Sequence, residues 1–245
     1  YVLYIFYMKN VLLMDSGSGG VNILKECVKI CPYCNYLLYC DTENLPYGTK
    51  GKKELYEITK RNLEKIYSFF KFEYVVLACN TLTATVIDEI RKKFPLITFI
   101  GTVPAIKPAL EENKAKDVLV IATKATIKNN KLIKKYKKSG IKLLPLNDLA
   151  PLIDQNLDCL DNLKDYLKLN LKGQFKAIVL GCTHYQALTN QMHEVFPDVK
   201  IYNSANGVAR RLLSFVGKQD NINFQVQIFC EQTELLGKFW WYYNL

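Results

Sequence analysis

Two cysteines occupy matching positions in the sequence and are the residues best suited to chemistry. Cys79 follows the apolar run 74–78, and Cys182 follows the apolar run 177–181. Each run has the pattern of a buried strand, and each cysteine stands where that strand passes into a helical pattern. A helix N-terminus stabilises a thiolate, so we expect both thiols to have a lowered pKa and to be reactive. Two buried core cysteines are the alternative, and the matched context of the pair favours function.

Small polar residues follow each cysteine. Asn80 and Thr81 come after Cys79, while Thr183 and His184 come after Cys182. Their side chains can form hydrogen bonds with the carboxylate and ammonium groups of an amino acid. The residue types therefore favour a small charged substrate beside each thiol.

A glycine-rich turn ends a third apolar run. Residues 15–20 read DSGSGG after the strand-like residues 11–14, and a helical pattern continues to Ile30. Glycines allow close approach of the backbone, and the start of a helix attracts anions. A nucleotide-binding loop is the alternative, but the segment lacks the Gly-Lys-Ser/Thr ending of a P-loop and does not match GxGxxG. Asp15 itself could support a reactive group or merely cap the helix.

Four further cysteines cluster early in the chain, at Cys27, Cys31, Cys34 and Cys40. The spacing of Cys31 and Cys34 is that of a redox pair or half a zinc site. Only one such pair exists, and both histidines of the chain lie far from it. We therefore expect ordinary buried thiols here, with no metal and no disulfide framework.

The chain carries a net charge of +10, and eight lysines fall between residues 124 and 142. Leu132, Ile133 and Tyr136 recur within that segment at near-helical spacing, which favours a solvated helix on the outside of an enzyme. A nucleic-acid surface is the alternative, although the chain contains no recognisable nucleic-acid module, and we expect no nucleic-acid partner. A positive field would also attract a dicarboxylate.

No stretch approaches the roughly 18 uncharged apolar residues of a membrane helix, so we expect no membrane association. Residues 1–7 are apolar but lack a basic segment and a cleavage site, which argues against a signal peptide. Met8 resembles a natural start, and we expect residues 1–7 to be a dispensable extension outside the fold.

Apolar strands alternate with helical patterns along the chain, which predicts an α/β fold with parallel sheets covered on both faces. The segment from Val11 resembles that from Val118, and the segment around Cys79 resembles that around Cys182, in the same order. An internal duplication follows, with two lobes and a site between them at the carboxyl ends of their strands. We assign residues 8–99 and 208–245 to the first lobe and residues 100–207 to the second.

Six motifs resemble those of the glutamate racemases, in the order that the family has them. They are DSGSGG, CDTENLPYGTK, ACNT, GTVPAIKPA, IATKATIK and GCTHY, and the resemblance runs from about Met8 to Arg211. It implies two pseudosymmetric α/β domains with the active site between them, and an enzyme that uses no cofactor and no metal. It also implies a cytoplasmic enzyme that supplies D-glutamate for peptidoglycan synthesis.

The resemblance implies a role for each residue that matches a motif. Cys79 and Cys182 would stand on opposite faces of the substrate α-carbon, one removing a proton as thiolate and the other returning one as thiol. Asp15 would support Cys79, and His184 would support Cys182. The substrate's carboxylates and ammonium group would be bound by Ser16, Tyr47, Gly48, Asn80, Thr81, Thr123, Thr126, Asp154 and Thr183.

The expected partner is glutamate as substrate. Related racemases dimerise in different ways, so a homodimer is compatible with the resemblance, and part of the family is regulated by a cell-wall precursor. A racemase of aspartate or another amino acid is the close alternative. An alternative of another class is a catalytically degenerate binding protein with a basic surface that faces nucleic acid.

The sequence departs from the family's motifs at several positions. Met14 replaces the usual phenylalanine, Ser18 the usual valine or isoleucine, and Leu82-Thr83 the usual small residues, while Asp154 stands where the family has a glutamate. These changes bear on substrate preference and turnover and leave the pair of thiols intact.

Overall fold

A computed structural model describes residues 8–218 and 224–230. The predicted extension 1–7 lies outside the described residues, as do residues 219–223 and 231–245 of the tail assigned to the first lobe. The described strands and helices alternate along the chain, as the α/β prediction requires.

The strands form two separate parallel sheets. The first sheet contains β1 (Lys9–Asp15), β2 (Cys34–Cys40), β3 (Tyr74–Leu77), β4 (Thr98–Gly101) and β9 (Val226–Cys230), in the order β4-β3-β1-β2-β9. The second sheet contains β5 (Val118–Ala122), β6 (Lys142–Pro145), β7 (Ala177–Gly181) and β8 (Lys200–Tyr202), in the order β6-β5-β7-β8.

Helices connect the strands and cover the faces of both sheets. They are α1 (Gly20–Ile30), α2 (Lys52–Phe69), α3 (Asn80–Lys93), α4 (Ile106–Glu112), α5 (Lys124–Asn129), α6 (Lys131–Tyr136), α7 (Leu149–Gln155), α8 (Lys164–Asn170), α9 (Thr189–Val195) and α10 (Ala205–Val216). Two short helices in the lysine-rich segment begin at side-chain caps. Thr123 Oγ1 accepts from the Thr126 N–H, and Asn130 Oδ1 accepts from the Leu132 and Ile133 N–H groups.

The central strands are buried on both faces, which explains their continuous apolar sequences. On β1, Val11 and Leu13 pack into one cluster, while Leu12 and Met14 pack into another on the opposite face. The first of these clusters also takes in residues of β5 and β7, so the core of the first sheet is continuous with that of the second. The two lobes therefore share packed apolar surface.

The strand orders agree with the predicted duplication. β1, β2, β3 and β4 occupy the same relative positions in the first sheet as β5, β6, β7 and β8 in the second. Cys79 follows β3 and Cys182 follows β7, so the two cysteines are at equivalent places in the two halves.

The connections between the lobes differ slightly from the predicted boundaries. The limit placed at residue 99 falls inside β4, which continues to Gly101. β9 pairs with β2 in the first sheet, and α10 packs against α1. The described part of the tail therefore lies with the first sheet.

The lysine-rich segment 124–142 forms α5, α6 and the turn that follows them, and its last residue, Lys142, begins β6. All eight of its lysines are exposed, while Ile133 is buried and Leu132 and Tyr136 pack against the same cluster. This is the arrangement expected of a solvated outer helix. Within residues 8–218 and 224–230, no helix is long and apolar enough to cross a membrane.

Candidate active site

The residues predicted to carry chemistry lie at the carboxyl ends of the central strands. Asp15 ends β1, Cys79 follows β3, Thr123 follows β5, and Cys182 follows β7. Parallel strands collect such residues at one edge of a sheet, and here the two edges face each other. The proximity is seen in Thr183, next to Cys182, whose hydroxyl donates to Asp15 at 2.9 Å.

Cys79 and Asp15 form the first half of the site. Cys79 is the N-cap residue of α3 and is 6% exposed, and its thiol interacts electrostatically with the fully buried Asp15. The Ser16 N–H donates to Asp15 Oδ1 at 2.8 Å. Asp15 does not cap α1, because the N-cap position there is Gly19 and no side chain caps it. The interpretation of Asp15 as a helix cap is therefore wrong.

Burial controls the protonation of this pair. Loss of solvent raises the pKa of Asp15 from 3.8 to about 6, against the opposing effect of the charge on His184. Burial also raises the pKa of the Cys79 thiol well above its ordinary value, and the neighbouring Asp15 charge adds to the rise. Backbone N–H groups at the start of α3 oppose the shift but do not overcome it. The expectation that the helix N-terminus lowers the pKa of this thiol is therefore wrong.

Cys182, His184 and Asp154 form the second half. Cys182 Sγ lies 3.9 Å from His184 Nδ1, and His184 Nε2 lies 3.2 Å from Asp154 Oδ2. All three side chains are at least nine-tenths buried. The contact between His184 and Asp154 has the separation of an ion pair without the alignment of a hydrogen bond.

The groups around His184 favour its protonated, positively charged form. Burial lowers the pKa of its imidazole, but the Asp154 carboxylate, with smaller contributions from Cys182 and Asp15, holds that pKa well above 6.5. A buried imidazolium beside the Cys182 sulfur stabilises negative charge there. The two thiols therefore have different supports, a carboxylate for Cys79 and an imidazolium for Cys182.

The glycine-rich turn packs directly against the second half of the site. A Cβ atom on Gly17 would lie 2.3 Å from Asp154 Oδ2 and 2.7 Å from His184 Nε2. One on Gly19 would lie 2.6 Å from His184 Nδ1. Gly17 and Gly19 are thus required for the turn to approach the ion pair closely. The nucleotide-loop alternative does not explain this close approach.

Asp154 contacts protein through both of its carboxylate oxygens. The Ser18 hydroxyl donates to Oδ1, while Oδ2 faces His184. Asp154 was expected to bind substrate, and that role stays a prediction, while its observed contacts are with the support of Cys182. Ser18 and Asp154 are both departures from the family's motifs, and they contact each other. The sequence analysis did not assign Ser18 to the site.

Three threonine hydroxyls meet where α3 of the first lobe approaches α5 of the second. Thr81 Oγ1 lies 3.0 Å from Thr123 Oγ1 and 3.3 Å from Thr126 Oγ1. Asn80 Nδ2 donates to the Thr102 carbonyl at 3.4 Å, while its Oδ1 is buried without a protein partner. The predicted binding residues therefore gather at the junction of the lobes, with a free acceptor among them.

Tyr47 is held by a buried network that the sequence did not reveal. Its hydroxyl donates to Asp41 Oδ2 at 2.5 Å, and the same carboxylate accepts from Asn62 and Asn44. A Cβ on the adjacent Gly48 would lie 3.0 Å from Thr123 Cγ2. Asp41 follows β2 as Asp15 ends β1, and that position at a strand end is the signal by which sequence reasoning could have found it.

The early cysteines lie in the core. Cys27, Cys31, Cys34 and Cys40 are free and buried, as predicted, with Cys31 Sγ and Cys34 Sγ 3.8 Å apart. Among the described residues, no group of three or more His, Cys, Asp or Glu side chains has the arrangement of a metal site.

Comparisons with known proteins agree with this site. Residues 18–211 match the family described as Asp/Glu/Hydantoin racemase. The glutamate racemase of Clostridium acetobutylicum is 36% identical over 219 residues, covering 86% of this chain and 85% of that protein. That of Histophilus somni is 33% identical over 233 residues, covering 90% and 87%. The crystal structure of Escherichia coli glutamate racemase in complex with L-glutamate and the activator UDP-MurNAc-ala superposes with a TM-score of 0.83 at 26% identity, covering 96% of each chain. The chain therefore belongs to the Asp/Glu/hydantoin racemase family.

Proposed function

We propose that this protein interconverts L- and D-glutamate by moving a proton at Cα between two thiols, without a cofactor. The observation that carries the proposal is the pair of thiols at equivalent strand ends, each with its own buried ionisable support. Asp15 supports Cys79, and His184 with Asp154 supports Cys182. The relatives named above as glutamate racemases favour glutamate as substrate.

In each turnover one sulfur acts as a base and the other as an acid. A thiolate removes the α-proton and becomes a thiol, leaving the C–H electron pair on the α-carbon. The opposite thiol then donates its proton to the other face and becomes a thiolate. The substrate is inverted without a net change in proton number, and the two sulfurs have exchanged protonation states. The enzyme returns to its starting form when protons exchange back through the supports and solvent.

The supports suit this exchange because they differ in charge. Ionised Asp15 can take the proton of Cys79 as that thiol becomes the base. The His184 imidazolium can stabilise the Cys182 thiolate or deliver a proton to it. Since burial opposes an isolated thiolate at Cys79, that sulfur becomes a base only with Asp15 beside it.

The carbanion needs electrostatic stabilisation in a site that excludes water. We assign this role to the backbone N–H groups and polar side chains at the strand ends, which bind the α-carboxylate and so spread its negative charge. The candidates lie at the junction of the lobes, and all but the partly exposed Gly48 are buried: Ser16, Tyr47, Gly48, Asn80, Thr81, Thr123, Thr126 and Thr183.

In the cell, this activity would supply D-glutamate for peptidoglycan synthesis in the cytoplasm. A homodimer and regulation by a precursor such as the UDP-MurNAc-ala bound to the Escherichia coli relative are further parts of the proposal. They can be tested by size-exclusion chromatography and by adding the precursor to the assay.

Circular dichroism of L-glutamate and L-aspartate incubated with the pure protein tests the proposal. We expect the L-glutamate signal to decay to zero without added pyridoxal phosphate and in the presence of chelator, with L-aspartate much slower. Faster loss of the L-aspartate signal would assign the chain to the alternative substrate. No change with either substrate would contradict the racemase proposal and favour the degenerate binding protein, which a gel shift with nucleic acid would then examine.

A further inference from the structure

Ser18 is a buried hydroxyl in direct contact with the support of the second thiol. It is fully buried between Gly17 and Gly19, and its hydroxyl donates to Asp154 Oδ1. Gly17 and Gly19 pack too closely on Asp154 and His184 to carry side chains of their own. Ser18 therefore supplies the one side chain that this part of the turn offers to the ion pair.

Asp154 depends on that hydroxyl for its orientation. In residues 8–218 and 224–230, Ser18 is the hydrogen-bond donor that the structure gives to Asp154, while Oδ2 faces His184 at 3.2 Å without hydrogen-bond alignment. A carboxylate can rotate about its last bond, and a single strong donor on one oxygen fixes where the other oxygen points. With Oδ1 held by Ser18, Oδ2 is directed at His184 Nε2.

The position of Ser18 is itself well fixed. Its carbonyl accepts from the Val21 N–H at 3.0 Å, in the turn that leads into α1. Asp154 lies on α7 and His184 follows β7, both in the second lobe. The hydroxyl therefore joins the first lobe to the group that acts on Cys182.

We propose that Ser18 is a positioning residue that holds Asp154 toward His184 and thereby sets the reactivity of Cys182. This inference rests on the proposed racemase function. The Ser18 hydroxyl donates to Asp154, so it acts through Asp154 and His184 on one of the two proton transfers.

A double-mutant cycle separates this role from a general effect on structure. For Ser18→Ala we expect kcat for glutamate to fall about 10-fold to 100-fold, the range for loss of a hydrogen bond to a charged group, with KM within about 2-fold of the wild type. In the Asp154→Asn background, Ser18→Ala should cost less than about 2-fold, because no carboxylate remains to be oriented. The matched control is Ser204→Ala, which removes a buried hydroxyl without a protein partner and should leave kcat unchanged.

A readout independent of turnover comes from the histidines, since the chain has only two. In 15N NMR of the labelled imidazoles, Ser18→Ala should move the deprotonation of His184 to lower pH, because its counter-charge is no longer held in place. The charged and titratable groups facing His184 are Asp154, Cys182 and Asp15. The exposed His193 serves as an internal reference and should not move.

Wild-type kcat in Ser18→Ala would overturn the inference, as would equal losses from Ser18→Ala in the wild-type and Asp154→Asn backgrounds. So would an unchanged His184 titration in the folded variant. Absence of racemisation in the wild type would instead contradict the proposed function, and the NMR measurement would still decide whether Ser18 orients the ion pair.

Discussion

The Thr183 hydroxyl donates to Asp15 Oδ2 at 2.9 Å, so the residue between Cys182 and His184 contacts the carboxylate that supports Cys79. Each half of the site therefore touches the other through a buried hydrogen bond. The carboxylate of Asp15 is also close enough to His184 for the imidazolium to lower its pKa against the effect of burial. The two supports consequently influence each other's charge.

Thr183→Val tests this connection. Valine keeps the shape and removes the donor, so the ionised form of Asp15 becomes less stable and its pKa rises further above about 6. We expect the acidic limb of the kcat/KM profile to move to higher pH. Thr59→Val is the control, since Thr59 is buried in α2 and donates only to the Leu55 carbonyl. An acidic limb at the wild-type pH in Thr183→Val would contradict the coupling.

Asp15→Asn should separate activity from stability. The variant cannot accept the Cys79 proton, and we expect kcat/KM at pH 8 to fall by about 10²-fold to 10⁴-fold, as for loss of a general base. The acidic limb near pH 6 should disappear with the carboxylate. Activity close to that of the wild type would show that Asp15 does not take part in proton transfer.

Whereas activity falls in Asp15→Asn, the stability of this variant at pH 8 should be equal to or higher than that of the wild type. The folded pKa of Asp15 is raised from 3.8 to about 6, so its contribution to stability is present below pH 3.8 and lost as the pH rises through 6. The neutral asparagine does not suffer this loss, which amounts to at most about 3 kcal/mol. At pH 8 the variant should melt at or above the wild-type temperature, and a clearly lower melting temperature would refute this assignment of the pKa.

Much of this arrangement could be predicted from local sequence. Apolar runs that end at Asp15, Cys79 and Cys182 identify the strands, and residues at the carboxyl ends of parallel strands must share an edge. The duplication then makes β1 equivalent to β5 and β3 equivalent to β7, and these strands occupy equivalent positions in the two sheets. These features depend on periodicity and order, which the sequence contains directly.

The remainder depends on contacts between distant segments. Ser18 meets Asp154 from the other lobe, and a hydroxyl between glycines gives no sign of its partner. Asp41 is similarly linked to Asn62 on the following helix. The direction of the pKa shift of the Cys79 thiol is predicted wrongly from the sequence for the same reason. The helix N-terminus is a local feature that sequence reveals, whereas the burial that outweighs it arises only from tertiary packing.

Gly17→Ala should damage the site by contact alone. The added methyl would lie 2.3 Å from Asp154 Oδ2, so the ion pair with His184 must move. We expect kcat to fall at least 10-fold, by analogy with other small displacements of catalytic groups. Gly207→Ala is the matched control, because Gly207 lies within α10 with nothing near its Cβ position. That control should gain about 0.5 to 1 kcal/mol of stability. Full activity in Gly17→Ala would contradict the close packing.

His184 should make stability fall at alkaline pH. Its folded pKa is raised well above 6.5 by the Asp154 carboxylate and the other charges beside it, although burial opposes the rise. The stability it contributes is present in full below pH 6.5 and is lost as the pH rises through the folded pKa. Melting temperatures measured from pH 6.5 upward should decline in the wild type and less steeply in His184→Gln. His193→Gln, at an exposed position, should keep the wild-type slope. Equal slopes in the wild type and His184→Gln would contradict the charge on His184.

The two-thiol mechanism makes a prediction about the origin of the transferred hydrogen. If Cys79 and Cys182 are separate monoprotic groups on opposite faces, the proton removed is not the proton returned. In deuterated water the product enantiomer should carry deuterium at Cα from its first appearance. Unreacted substrate should remain largely protonated, because a thiol that holds the abstracted proton mostly returns it before exchange. Early deuterium in recovered substrate at the level of the product would instead indicate a single base that exchanges its protons on one face.

The serine variants complete this test, because serine is too weak an acid to hold negative charge at neutral pH. Cys79→Ser and Cys182→Ser should each abolish racemisation, since inversion needs both faces. Each variant retains one thiol and its support, so it should still exchange the α-proton of the one enantiomer that presents that proton to the remaining sulfur. Cys159→Ser is the control, as Cys159 is free and exposed, and it should racemise at the wild-type rate. Substantial racemisation by either active-site variant would mean that one thiol serves both faces of the substrate. That outcome would contradict the assignment of one thiol and one support to each face.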